Sequence, residues 1–375
     1  MTLFSMLSLG SSALQTQQIL LDVSGQNVSN AATPGYSRQR AEVMRLPEYR
    51  YANVLLGMGS YVGTVSRVHE NLIDDRLRRE NSTLGEFSIR MDYMRQLEEI
   101  MAEPSDIGIA GGLSDLFDSF QELMNNPEDR GVRTTVAGTA TTLSDSLNNT
   151  YQLLINQRAN MSGFISSTVD EINRLTQQIS DLNRKISILE IGSATSNASR
   201  DARDLLLDEL SELVSVEIRR SPNGTASVYL DGYALVQDNT YNQIGLRLNP
   251  ATETTHNYYE VIALNGGNRP LDIRSGSLKG YLDMRDGETI SRIMDDLNTL
   301  ALGLAEEVNR IHSQGVGLTR YASTTSDFAV SDPSQPLISA GLPFTPGDGS
   351  FFLAVYDSQG QFLEQHEIAV DADVD

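Results

Sequence analysis

The sequence predicts a mainly α protein with inserted β structure: an N-terminal amphipathic helix, a long antiparallel helical bundle or coiled coil, and outer β domains. Two heptad runs and one change of character carry this reading. Leu147, Leu154, Met161, Thr168, Leu175, Leu182 and Leu189 recur every seven residues, with Tyr151, Ile165, Ile172, Ile179 and Ile186 interleaved and Arg158 the one lapse. Ile290, Met294, Leu297, Ala301, Leu304, Val308 and Ile311 repeat the four–three alternation. Sustained heptads give helices a narrow apolar seam suited to lengthwise pairing. Between the two seams the pattern shifts to short apolar stretches separated by turn signals.

The elements follow in order. Leu3, Leu7, Leu14, Leu21 and Val28 form a stripe, with Gly10, Gln17 and Ser24 at the other seam register. So narrow a stripe suits a partner helix and not a private core. It also leaves the helix marginal in water, so residues 1 to about 40 are expected to be poorly ordered alone. Thr33-Pro34-Gly35 stops this helix, because the residue before proline leaves the helical region and Pro-Gly sets a turn. Ala41 to Val68 reads as extended or hairpin structure. From about Glu70 a helix carries the stripe Ile73, Leu77, Leu84, Phe87, Met91, Met94 and Met101, and Glu103-Pro104 closes it. The methionines suit a core or an adaptable interface.

Leu113, Leu116, Phe117, Phe120 and Leu123 make a short amphipathic helix. Asn126-Pro-Glu-Asp129 reads as a helix start with Asn126 as N-cap. The helix that follows, at ~60 residues, would be ~90 Å long. Asp201 to Leu213 is a short helix. Val214 to Tyr281 is β-like, punctuated by Pro222-Asn-Gly224, Asp231-Gly232 and Asn265-Gly-Gly267. The last seam ends with His312 and Gly315, fitting a helix C-terminus. From Thr319 the tail is rich in Ser, Thr and Pro, and Phe351 to Tyr356 is again β-like. The expected domains are residues 1–63, a core helix with turn and hairpin; 64–213 with 286–318, a discontinuous helical wall; 214–285, an inserted β domain; and 319–375, the start of an outer β domain.

At 375 residues the chain exceeds one core, and domains of roughly 150 residues suggest about two to four. The net charge of −22 argues against nucleic acid and anionic membrane surfaces as partners. The absence of Cys removes disulfides, thiolate metal sites and Cys nucleophiles. The N-terminus lacks the basic region of a cleaved leader, and no apolar run approaches the ~20 residues of a membrane span.

No catalytic, metal or cofactor site is expected. His69, His256, His312 and His366 stand singly, without metal-ligand spacing. Gly57-Met-Gly59-Ser-Tyr-Val-Gly63 has the wrong spacing for a dinucleotide fingerprint and reads as a hairpin turn. The acid pairs Asp74-Asp75, Glu98-Glu99, Asp295-Asp296 and Glu306-Glu307 read as solvated helix faces. Asp371 and Asp373 lack the glycine and distal glutamate of a calcium loop.

Asn27 to Arg40, with Asn27, Asn30 and Thr33-Pro34-Gly35-Tyr36 after a leucine-rich start, resembles the N-terminal signature of bacterial flagellar axial proteins. The stretches 59–63, 68–73, 126–130, 200–210, 276–286 and 308–315 are similar to the hook-associated members at the hook–filament junction. The likeness covers residues 1 to about 318. It implies a structural adaptor, not an enzyme, that uses no cofactor and is secreted without leader cleavage into the extracellular flagellum. It implies ring assembly with copies of itself, with hook protein and the second junction protein as partners. The subunit-interaction residues would be Leu3, Leu7, Leu14, Leu21, Val28, Asn27, Asn30, Thr33, Pro34, Gly35 and Tyr36. The alternatives are another axial protein, such as hook or the second junction protein, or an enzyme carried on a flagellar scaffold. Family members end in a second amphipathic helix that pairs with the first. No helical heptads follow Ile311 here, so that helix, and the export-chaperone site expected with it, are expected to be missing from this sequence.

Overall fold

The computed structural model describes residues 3–51, 54–101, 108–191, 195–248, 259–313, 315, 325, 328–342, 345–357, 359 and 361–374. They form two compact units, Met1–Leu297 and Asn298–Asp375. The chain opens with helix α1 (Leu3–Ser29), then strands β1 (Gln39–Arg45), β2 (Tyr49–Tyr51), β3 (Val54–Leu56) and β4 (Ser60–Arg67). β1 pairs antiparallel with β4, with a bulge at Glu42/Val43, and β2 pairs with β3. This is the hairpin structure expected of Ala41 to Val68.

Helices α2 (Asn71–Met101), α3 (Ile109–Asn125), α4 (Arg130–Leu189) and α5 (Asn197–Leu213) follow. α4 is 60 residues long, about 90 Å at 1.5 Å per residue. Its seam is buried from Leu154 through Met161, Ile165, Ile172, Leu175, Ile179 and Ile186, while Leu189 is exposed. Arg158 is a lapse in polarity but not in packing. Its side chain is buried, donating from Nε to the Arg285 carbonyl at 3.1 Å and from Nη2 to Ser291 Oγ at 3.3 Å. The α4 N-cap is Asp129, whose Oδ1 accepts from Gly131 N at 2.6 Å. Asn126 instead caps the C-terminus of α3, its N–H bonding the Glu122 and Leu123 carbonyls. Both ends meet in this one short turn, so the proline there separates two helices and does not begin the second.

Two antiparallel sheets come next. One has the order β5 (Glu217–Arg220), β6 (Ala226–Leu230), β7 (Tyr233–Gln237), β8 (Thr240–Tyr241). The other pairs β9 (Ile244–Leu248), β10 (Tyr259–Ala263) and β11 (Arg269–Pro270) in the order β11-β10-β9. They share one core with α4 and α5, formed by Ile172, Ile179, Leu207, Leu210, Val228 and Val236 among others. Two asparagines on α4 tie the sheets to it. Asn173 donates to the Ile244 carbonyl and accepts from its N–H, both at 2.9 Å, and Asn183 does the same with Ala226 at 2.8 and 3.1 Å. Buried amides that meet a strand edge this way satisfy backbone groups that would otherwise be costly to bury.

The β-like reading stops short of Tyr281, because Ser277–Asp286 is helix α6, packed on α2 and α4. Backbone crowding explains the glycines here. A Cβ added to Gly85 of α2 would lie 2.3 Å from the Glu212 carbonyl oxygen, and Gly276 N donates to the Ser82 carbonyl at 3.0 Å. Helix α7 (Glu288–His312) follows, with Ile290, Met294 and Leu297 buried. In the second unit, β12 (Gly349–Tyr356) pairs antiparallel with β13 (Phe362–Val370). The expected closure of α2 at Glu103-Pro104 lies outside the described residues.

The stripe read on α2 faces outward. The buried α2 residues are Arg78, Ser82, Tyr93 and Leu97, on the opposite side of the helix. The physical reason is that α2 meets α5 through ion pairs and α6 through close backbone approach, so its inner face needs few large apolar side chains.

Candidate functional site

α1 has two working faces. Among its 27 residues the only ionisable side chain is Asp22. On one side Thr16 and Val23 are buried against β1 and β4, and Thr16 Oγ1 donates to the Ser60 carbonyl at 3.1 Å. On the other side Leu7, Leu14, Leu21 and Val28 are 71–76% exposed. At 100° per residue the two stripes lie roughly 150° apart. Leu3 lies in the helix, but its side chain is outside the described residues. The reading of α1 as a one-stripe helix is thereby corrected: a second, mixed face of small, polar and aliphatic residues anchors it. Those residues lack the hydrophobic contrast that marks a seam in sequence.

The signature residues shape the turn after α1. Asn27 Nδ2 donates to the Gln39 carbonyl at 2.9 Å, and its Oδ1 accepts from Gln39 N at 2.8 Å and from the Tyr36 hydroxyl at 2.9 Å. Asn30 accepts Thr33 N on its carbonyl at 2.9 Å, and Tyr36 N bonds the Thr33 carbonyl at 3.2 Å. Pro34 therefore sits at the second position of a turn whose third residue, Gly35, has φ +75°, a conformation that favours glycine. A Cβ there would also lie 3.2 Å from Leu205 Cβ on α5. Asn27, Asn30, Thr33, Pro34, Gly35 and Tyr36 are thus brought together, while Leu7, Leu14, Leu21 and Val28 form a separate face.

An ionic joint then fixes this turn and hairpin to the helical unit. Arg67 Nη1 of β4 lies 2.8 Å from both Asp201 Oδ1 and Asp204 Oδ2 of α5. Ser37 N donates to Asp201 Oδ2 at 3.3 Å, and Asn197 Nδ2 to the Val65 carbonyl at 2.8 Å. His69 Nε2 lies 2.5 Å from Asp74 Oδ2 and 3.6 Å from Asp204. Arg78 of α2 bonds Asp208 at 2.7 Å, and Arg203 bonds the Gly224 carbonyl at 2.6 Å. Burial would lower the Arg67 pKa, but the two carboxylates outweigh it and hold it above the ordinary arginine value. Burial likewise opposes ionisation of Asp204, yet Arg203 and Arg67 keep its carboxyl below the usual range. Asp208 goes the other way, pushed up by burial despite Arg78.

The joint went unmarked in the sequence reading, and Asp74-Asp75, read as solvated, belongs to it: Asp75 pairs with Arg220 at 2.9 Å. One signal was available. Asp201, Asp204 and Asp208 recur at three- and four-residue spacing along one face of α5, on which Asp201 and Asp204 are buried.

Asp75, Glu217, Asp231 and Asp272 line a polar cleft of about 380 Å³ between α2 and the β5–β6 strands. Each is paired with an arginine: Arg220, Arg219, Arg269 and Arg274 respectively. Among the described residues no group of three or more His, Cys, Asp or Glu is placed to hold a metal ion, and no helix is long and apolar enough to cross a membrane.

Comparison with known proteins gives a consistent picture. Residues 94–328 match the family model described as the flagellar hook-associated protein FlgK helical domain, and residues 7–36 match that of the flagella basal body rod protein. Flagellar hook-associated protein 1 of Salmonella typhimurium is 30% identical over 316 residues, 83% of this chain and 57% of that protein. The Bacillus subtilis protein of the same name is 26% identical over 346 residues, 84% of this chain and 68% of its own length. The chain thus spans little more than half of the Salmonella relative. The solved structure of the flagellar hook junction protein FlgK from Burkholderia pseudomallei superposes with a TM-score of 0.58 at 23% identity, over 78% of this chain and 56% of that one. It supports the mainly α fold with small β domains.

Proposed function

The chain belongs to the flagellar hook-associated protein 1 family, and from that premise we propose that it is a structural, non-catalytic subunit of the bacterial flagellum that joins hook to filament by self-assembly. The observation that carries this reading is the α1 seam, four large apolar side chains more than 70% exposed along one face of a nearly uncharged helix. Such a face loses little on burial between helices, because few charges are desolvated. Residues 1 to about 40 form the inner layer of the assembly. The helices α2 to α6 form its wall, and the strands β5 to β11 face outward. The partners are other copies of the chain, the hook protein and the second junction protein. An export chaperone acts before assembly, and the protein reaches its extracellular place through the flagellar type III route.

The test is complementation of a motile host lacking the gene. The parent restores filaments. A Leu14→Glu/Leu21→Glu variant yields hooks without filaments and releases filament subunits into the medium. Normal filaments from that variant, or from the deletion itself, would overturn the proposal.

A further inference from the structure

The arginines and aspartates of the joint leave one carboxylate in excess. Among the described residues Asp74, Asp201, Asp204 and Asp208 face Arg67, Arg78 and Arg203, four acids against three guanidiniums. The flanking charges are paired with each other: Asp75, 3.8 Å from Arg78, with Arg220, and Glu190 with Arg200. Glu70 follows His69 in the chain, and the Arg38 carbonyl accepts from Val68 N; both side chains are exposed to solvent. The excess is felt at Asp208, whose carboxyl is pushed upward by burial and by the like charges of Asp204 and Asp74, despite Arg78. Unbalanced charge in a largely buried cluster is costly.

A fourth positive charge is available at the hinge itself. His69 lies in the short link, residues 68–70, between β4 and α2. Its side chain is mostly buried, with Nε2 2.5 Å from Asp74 Oδ2 and 3.6 Å from Asp204 Oδ2. Asp74 Oδ2 is itself buried and accepts no hydrogen bond from any other described residue. We propose that His69 is a proton-operated latch: its charged imidazole clamps the turn and hairpin to α2 and α5, and loss of that proton loosens them. The latch spans all three elements, since Asp74 belongs to α2 and Asp204 of α5 also holds Arg67 of β4. The N-terminus of α2 carries about half a positive charge and opposes an imidazolium. Asp74, in the first turn of α2, offsets that end, and two full negative charges at close range outweigh it. The neutral ring keeps at most a hydrogen bond to Asp74, without the attraction of opposite charges, and returns the cluster to net negative. An imidazole changes charge between about pH 5 and 8. A positive group held by carboxylates contributes most when protonated, so the joint is tightest at the acid side of that range and slackens as pH rises.

The test measures hydrogen exchange of the full chain at about pH 5.5 and about pH 8, each rate divided by that of the unfolded chain at the same pH. Protection of β1 and β4 is expected to fall about tenfold from the lower pH to the higher, while the buried seam of α4 keeps its protection. His312 and His366 lie in the other compact unit and do not face the hairpin's own cluster. His69→Gln, which retains a donor but takes no charge, is expected to show the lower protection at both pH values. Asp208 and the other carboxylates remain in that variant, so a fall as steep as the parent's would assign the effect to them and overturn the proposal. Level protection of β1 and β4 in the parent overturns it without any variant, as does an equal loss in α4. None of these readings depends on assembly, so the latch stands or fails apart from the function proposed above.

Discussion

Arg67 is where the N-terminal element and the helical unit meet, and its replacement is the sharpest test of the joint. Arg67→Leu leaves Asp201 and Asp204 buried without their shared cation, and breaking a buried pair this way costs about 3–5 kcal/mol. The expected outcome is a large fall in the urea midpoint, with protection of β1 and β4 lost first in hydrogen exchange. The acid side follows from Asp204. Its folded-state pKa is depressed, so its contribution is complete above the ordinary carboxylate value near ~4 and is lost as pH falls through the folded value. Asp208, pushed up by burial, opposes this, since its cost is relieved on protonation. Asp204→Asn is therefore expected to be less stable than the parent at about pH 7 and to converge with it below about pH 4. Urea melts across that range check it. A gap that widens toward acid would contradict the assigned sign.

At the scale of elements, the helices make contrasting predictions. Asp129→Ala removes the α4 N-cap and is expected to cost about 1 kcal/mol, seen as faster exchange confined to the first turns of α4. Gly85→Ala forces a methyl to within 2.3 Å of the Glu212 carbonyl, and its melting point is expected to drop steeply. Gly138→Ala, with open space around it on the same long α4, is expected to gain about 0.5–1 kcal/mol. Opposite signs for two identical substitutions would establish that close approach, not helix propensity, decides the α2–α5 contact.

These elements also mark what the sequence could disclose. α4 was legible because one period, Leu154 to Ile186, is buried at nearly every turn, Arg158 included. α2 was legible as a helix but not in its orientation, since its apolar stripe and its buried face are opposite sides of the same period. Which side faces in depends on Asp208 and Glu212, more than a hundred residues away. α6 was missed because Leu-Lys-Gly-Tyr packs by backbone approach and shows little periodicity. At the candidate site, the seam and the Asn27–Tyr36 turn were readable from spacing and turn chemistry. The joint was not, because an inward-facing aspartate looks like a solvated one until its arginine is found.

At the scale of the molecule, charge governs association. Copies carrying −22 each repel at low ionic strength, and salt screens that repulsion over a Debye length of ~10 Å at 0.1 M. Self-association through apolar stripes is therefore expected to strengthen as salt rises from about 20 mM to about 300 mM. Sedimentation at fixed protein concentration checks this. Weakening with salt would mean that ion pairs, not apolar faces, dominate the contact.

The near-absence of charge on α1 has one more consequence. Paired helices ordinarily choose parallel or antiparallel alignment, and their register, through charged neighbours and polar seam positions. With Asp22 its one charged side chain and Gln17 and Ser24 its polar seam positions, α1 carries little of such a code, so its seam attracts with little aim. Direction and register must come from what holds the helix at its other end: Asn27 locking the turn, Gly35 seated against Leu205, and Arg67 held between two aspartates. α1 supplies the adhesion and the joint supplies the bearing, so a variant that loosens the joint should stick as well as ever and stick in the wrong place.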